Sequence, residues 1–182
     1  MVDQLLDLSR LEAGTAQPRR DWCSIEELLR EAIDHVEAGD DGQFNLSIDS
    51  GLPLVNADAA QLERALANLL ENARRYSGGY PVKVRAGVIG GRLMMRIVDR
   101  GPGISPSELP RVFEPFYRGA GDGEHPGSGL GLAIARGFIE ANEGRLSAES
   151  LPGQGTTFVV DLPLPPGEAP VTSIAGRGTS RP

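Results

Sequence analysis

Asp99 closes a strand-like run, Arg92 to Val98, and is followed by R-G-P-G-I. A carboxylate there stands at the mouth of a sheet, where it can accept a hydrogen bond from an amine. Gly101 and Gly103 allow the backbone to turn sharply and to approach a flat ligand closely. Further along, G-S-G-L-G-L (127–132) opens a helix, so Gly127, Gly129 and Gly131, with Leu130 between them, expose backbone N–H groups where an anion can bind. An acid that accepts from an amine, followed by a phosphate cradle, is chemistry suited to a nucleotide. Upstream, Asn68, Asn72, Arg75 and Tyr76 fall on one polar edge of a helix, because i, i+4 and i+7/i+8 share a face. Two amides one turn apart can offer carbonyl oxygens to a hard cation. Mg²⁺ takes few protein ligands and completes its shell with water and nucleotide phosphates, and Arg75 can neutralise phosphate. Taken alone, this edge reads first as a solvated helix face, the usual fate of polar residues on a helix.

Of two better-known phosphate motifs, one is excluded and the other is only weakly matched. Lys83, the only lysine, stands in P-V-K-V-R and not in G-K-[ST], which removes a Walker A loop. The glycines of 127–131 are spaced G-x-G-x-G, and His125-Pro126 precedes them instead of a strand, which argues against a dinucleotide fingerprint.

The elements that must position these groups are legible from periodicity. Leu5, Leu8 and Leu11, widened by Val2 and Leu6, predict a helix over 2–13 ended by Gly14, the end of a longer bundle helix. Residues 15–23 read as a polar connector. Ser24-x-x-Glu27 is a capping box before Ile25, Leu28, Leu29, Ala32, Ile33 and Val36 at helical spacing. Phe44, Leu46 and Ile48 alternate as a strand. Asp58 to Gln61 is a second capping box, opening a helix to about Tyr76 with Leu62, Leu66, Leu69, Leu70 and Ala73 inward. Val82, Val84, Ala86 and Val88 alternate, Gly90-Gly91 turns, and Leu93, Met95 and Ile97 alternate back. A helix from about Leu130 to Ala141 stops at Gly144. Leu146 and Ala148 begin a last hairpin, turned at 152–155 and completed by Phe158, Val160 and Leu162. Hairpins beside helices predict an α+β fold, a two-layer sandwich with helices on one face of a mixed sheet. The division expected is 1–20 helix end and linker, 21–165 one domain, and 166–182 a disordered tail rich in Pro, Gly, Ser and Thr.

With 182 residues the chain can bury a substantial core. A net charge of −7 argues against nonspecific binding to nucleic acid or an anionic membrane. No apolar run approaches the ~20 residues of a membrane span, and no signal peptide precedes the first helix, which suggests the cytoplasm. One cysteine, Cys23, excludes an internal disulfide, and with His35 and His125 far apart a zinc cluster is implausible.

In order and spacing the pieces resemble one family. N-L-L-E-N-A-R-R-Y (68–76) looks like its N box, D-R-G-P-G (99–103) its first glycine box, F-E-P-F (113–116) its F box and G-S-G-L-G-L (127–132) its second glycine box. This is the catalytic, ATP-binding domain of sensor histidine kinases, within the gyrase, Hsp90, kinase and MutL ATPase group with its Bergerat-type fold. The likeness spans about Trp22 to Pro163, and L-L-D-L-S-R-L-E-A-G (5–14) resembles the end of the dimerisation helix that precedes such a domain.

The resemblance implies roles. Asp99 would accept from the adenine amine of ATP, with Thr156 or Thr157 nearby through water. Asn72, assisted by Asn68, would hold Mg²⁺; Arg75 and Tyr76 would contact phosphates and ribose. Gly127, Gly129, Leu130 and Gly131 would cover the triphosphate, and Arg118 would reach its terminal phosphate. Phe113 and Phe116 would fix the lid's hinge by packing. Asn68 stands where ATP-hydrolysing relatives carry Glu, and an amide cannot act as a general base, so transfer is favoured over hydrolysis. Glu71 is expected to point elsewhere on the helix. Two departures stand out: Arg100 where the family usually has Asn, with altered lid contacts expected, and Arg75 in place of Lys, a planar fork instead of a point charge. Neither His35, expected at the surface, nor His125 has the context of a phosphoacceptor. The implied partners are therefore a dimerisation and histidine-phosphotransfer domain of the same kinase, absent from this chain, and a cognate response regulator. The full-length protein is expected to be a homodimer, and a membrane anchor outside these residues is compatible with the resemblance; the fragment is not expected to be competent alone.

Overall fold

Five strands form a mixed sheet backed by helices in a computed structural model of the chain, which describes residues 2–37, 43–119 and 127–165. The elements in chain order are α1 (Val2–Glu12), β1 (Asp21–Cys23), α2 (Ile25–Val36), β2 (Phe44–Ile48), β3 (Val55–Ala57), α3 (Ala59–Tyr76), β4 (Val82–Ile89), β5 (Arg92–Val98), a 3₁₀ turn (Leu109–Arg111), α4 (Gly131–Ala141), β6 (Arg145–Ser150) and β7 (Thr156–Pro163). The sheet runs β2-β4-β5-β7-β6. Pairing is antiparallel except between β2 and β4, where Phe44 faces Val82 and Ile48 faces Ala86 in parallel register. The α+β expectation holds. The tail at 166–182 lies outside the described residues, as does His125.

Alternation explains the layers. Val82, Val84 and Ala86 of β4, Leu93, Met95 and Ile97 of β5, and Phe158, Val160 and Leu162 of β7 are all buried. They meet Leu66, Leu69, Leu70 and Ala73 of α3 and Ile134, Ala135, Phe138 and Ile139 of α4 in one core. Ile25, Leu28, Leu29, Ala32 and Ile33 of α2 join the same cluster. Between β4 and β5, Ile89 pairs with Arg92. Gly90 (φ +59°) and Gly91 (φ +74°) make the turn, and that combination of positive angles matches the strands' twist.

The capping boxes form by half. Ser24 accepts from the Glu27 N–H at 3.3 Å, and Asp58 Oδ1 from the Gln61 N–H at 3.1 Å. Gln61 does not reach back to its cap. Its amide donates to the Ala16 carbonyl (3.1 Å) and its oxygen accepts from Asn142 Nδ2 (3.0 Å). Asn142 Oδ1 in turn accepts from the Asp58 N–H at 2.8 Å, so the start of α3 is tied to the end of α4 through a buried, satisfied amide.

Two expectations need correction. The connector 15–23 ends in β1, which pairs antiparallel with β3, a strand too short to show period 2. The leucine stripe of α1 is split. Leu8 is buried and Leu11 packs against the core, whereas Val2, Leu5 and Leu6 are exposed. The inward face also carries Asp7, whose buried carboxylate pairs with Arg64 of α3 at 2.8 Å. His35 is exposed on α2, as expected.

Leu69 is fully buried between sheet and helices. Leu69→Ala is expected to lower unfolding free energy by about 2–5 kcal/mol, read as a fall in the urea midpoint without a change in slope.

Candidate functional site

Where β5 ends, Asp99 enters the interior, only 3% exposed. Its Oδ1 accepts from the Gly101 N–H at 2.8 Å and the Thr156 N–H at 3.1 Å, and its backbone N–H donates to the Thr156 carbonyl at 2.9 Å. Among the described residues Oδ2 has no hydrogen-bond partner. Burial pushes the carboxyl above its usual range, while the two N–H donors pull it back down. Glycines make this arrangement possible. A side chain on Gly101 would strike the Tyr76 carbonyl, and one on Gly155 (φ +80°) the carbonyl of Asp99 itself.

Asp99 and Thr156 open onto a cavity of about 340 Å³ walled by Asn72, Tyr76, Pro102, Gly103, Ile104 and Val112, among others. Thr156 lines this wall, while Thr157, next along β7, points to the other face of the sheet. Ile104, Val112 and Tyr117 are cavity residues that periodicity could not find, because they sit in an irregular segment.

A second cavity of about 600 Å³ adjoins the first through Asn72, Arg75, Tyr76 and Tyr117. It is polar, with Asn68 and Glu71 on one side and Gly127, Ser128, Gly129 and Gly131 on the other. A Cβ on Gly131 would stand 3.4 Å from Asn68 Oδ1, and one on Gly127 would collide with the Arg75 guanidinium. The polar edge of α3 and the glycine segment thus face each other closely. Gly129 (φ +70°) accepts at its carbonyl from the Phe116 N–H at 2.9 Å, which joins the F-E-P-F segment to the glycines.

The structure distributes the remaining residues unevenly. Leu130 is buried in the core, with its N–H donated to Ser128 Oγ (3.2 Å). Phe113 packs on the core, but Phe116 does not: it is 62% exposed, with φ +62°, and its N–H donates to the Gly129 carbonyl. Arg118 is exposed on the outer surface and lines neither cavity. Arg100 reaches over the Tyr80 ring at 5.9 Å, away from the cavity walls. Glu71, expected to point elsewhere, lines the polar cavity and pairs with Arg75 at 3.1 Å, since i+3 from Asn68 shares its face. Asp3 and Gln4 of α1 also line this cavity, and no motif signalled them.

An apolar slot ending in a buried acid, continuous with a polar chamber under a helix start, is the shape of a nucleotide site. The family described as histidine kinase-, DNA gyrase B- and HSP90-like ATPase matches residues 57–166. The chain belongs to that family. The sensor protein KdpD of Mycobacterium tuberculosis (strain CDC 1551 / Oshkosh) is 38% identical over 170 residues, covering 91% of this chain and 20% of that protein. Among solved structures, a mycobacterial sensor histidine kinase, MprB, superposes with a TM-score of 0.68 at 31% identity, covering 79% of this chain and 97% of that one. Full-length ShkA in complex with AMPPNP gives a TM-score of 0.77 at 29% identity, covering 92% of this chain and 36% of that one. The chain is thus of the sensor histidine kinase kind and spans about a fifth of the length of the curated KdpD relative. Among the described residues no helix is long and apolar enough to cross a membrane, and no cluster of His, Cys, Asp and Glu could hold a metal.

The raised carboxyl of Asp99 has a measurable sign. The folded chain holds this proton more tightly than the unfolded chain does. Its contribution therefore favours folding in acid and is lost as pH rises from the usual carboxylate value, ~4, to the raised one. Asp99→Asn keeps the Oδ1 acceptor without the charge. The variant's stability relative to wild type should therefore increase between about pH 3 and pH 7 in urea titrations; a difference independent of pH would show that burial does not dominate.

Proposed function

We propose that this domain binds ATP with Mg²⁺ and presents the γ-phosphate to a histidine on a dimerisation helix outside this sequence. It would serve as the catalytic half of a two-component sensor kinase. The observation that carries the reading is the buried Asp99 carboxylate. It lines an apolar cavity of about 340 Å³ that continues into a polar chamber, and its Oδ2 has no hydrogen-bond partner among the described residues. The open oxygen would accept from the exocyclic amine, and Tyr76, Ile104 and Val112 would flank the base.

On the polar side, Gly127, Gly129 and Gly131 would cover the phosphates while Arg75 neutralises charge. The side-chain oxygens of Asn72 and Asn68 suit a hard cation that keeps most of its shell for water and phosphate. Mg²⁺ held there would offset charge on the phosphate oxygens. Arg118, exposed in this form, would reach the terminal phosphate only after moving inward. Transfer places the acceptor imidazole nitrogen on the γ-phosphorus as the bond to the bridging oxygen breaks and ADP leaves. Such transfer depends on alignment and charge stabilisation, so the domain turns over productively only with the acceptor helix docked. Asn68, an amide, supplies no general base for water. The whole kinase would be a homodimer that passes the phosphoryl group to its response regulator.

Mixing the chain with a separately expressed acceptor-helix domain and labelled ATP tests this. Label on histidine is expected; release of free phosphate would indicate a hydrolysing clamp, and binding alone a non-catalytic module. Asp99→Asn is expected to abolish ATP binding in calorimetry, and unchanged affinity would sink the base-pocket assignment.

A further inference from the structure

The inward face of α1 reaches the glycine segment itself. Gln4 Oε1 accepts from Ser128 Oγ at 2.9 Å, and the same hydroxyl accepts from the Leu130 N–H at 3.2 Å. Ser128 is therefore both donor and acceptor, and it fixes the turn from which α4 starts. Asp3 and Gln4 line the polar cavity together with Asn68 and Asn72. Other contacts set the register of α1 along the domain. Asp7, its side chain 6% exposed, pairs with Arg64. Leu11 lies against Gly137, where a Cβ would stand 2.7 Å from Leu11 Cδ1. A glycine is disfavoured in a helix interior, and here it leaves room for α1. The helix is held to α3, to α4 and to the glycine segment at once.

We propose that α1 forms part of the phosphate-side binding site, with Gln4 as a positioning residue that sets Ser128, and through it segment 127–131, to hold a nucleoside polyphosphate. This rests on the nucleotide reading above. No residue of α1 lines the Asp99 cavity. The contribution of Gln4 is therefore felt by the phosphates and not by the base, and a displacement of α1 changes polyphosphate affinity selectively.

Calorimetry on the full chain with Mg-ATP and with adenosine tests the proposal in wild type, Gln4→Ala, Ser128→Ala and the double variant. Gln4→Ala is expected to weaken ATP about five-fold, the effect of one neutral hydrogen bond, and Ser128→Ala at least as much, because it also removes the acceptor of the Leu130 N–H. The double should be no weaker than the weaker single, because both remove the same link. Adenosine affinity should stay constant, and the Leu130 amide should exchange faster with deuterium in Gln4→Ala. ATP affinity unchanged in Gln4→Ala, losses that multiply in the double variant, or equal losses for adenosine would overturn the proposal. Its failure is distinct from failure of the nucleotide reading, which would appear as ATP binding absent from wild type or indifferent to Asp99→Asn.

Discussion

The site depends on one buried carboxylate left half-satisfied. A charge in an apolar interior costs several kcal/mol unless it is hydrogen-bonded. Gly101 and Thr156 supply two N–H donors to one oxygen of Asp99, and the other faces the cavity. A ligand amine that reaches it gains a charge-assisted hydrogen bond, worth about 1.5–3 kcal/mol. A ligand without a donor there leaves the acid unpaired. The surrounding glycines follow from this constraint. Side chains at Gly101, Gly103 and Gly155 would collide with the carbonyls of Tyr76, Leu151 and Asp99 in turn.

The same helix serves stability and site. One face of α3 buries Leu66, Leu69 and Leu70, and the adjacent edge carries Asn68, Glu71, Asn72 and Arg75 into the polar chamber. Its N-terminus is fastened to the end of α4 through Asn142 and Gln61. The glycine segment at the start of α4 is therefore held at a fixed distance from the amides of α3. Positioning of this kind is what phosphoryl transfer asks of a protein.

The legible parts were those written in local period or local chemistry. The helices α2, α3 and α4, the Gly90-Gly91 hairpin and the core faces followed from spacing. So did the placement of Asp99 at a strand end. Nonlocal pairing was not legible: nothing in residues 44–48 says that β2 lies parallel to β4, or that β7 inserts between β5 and β6. The β1–β3 pair was too short for a pattern. Phe116 looked like a packing aromatic because its type suggested it. Its backbone has a positive φ, its N–H is bonded to the Gly129 carbonyl, and its ring lies in solvent. In the site, Asn68, Asn72, Arg75 and the glycines came from one helix face and one motif. Ile104 and Val112 lie in an aperiodic loop. Gln4 meets Ser128 across 124 residues, a separation at which no periodicity operates.

The central claim, that the open oxygen of Asp99 reads an amine on the base, is tested most directly by comparing ATP with inosine triphosphate, which carries a carbonyl oxygen in place of that amine. Two acceptors would then face each other across the cavity. Calorimetry should show ATP bound and inosine triphosphate weakened by at least about 10–100-fold. Equal affinity for the two nucleotides would contradict the account.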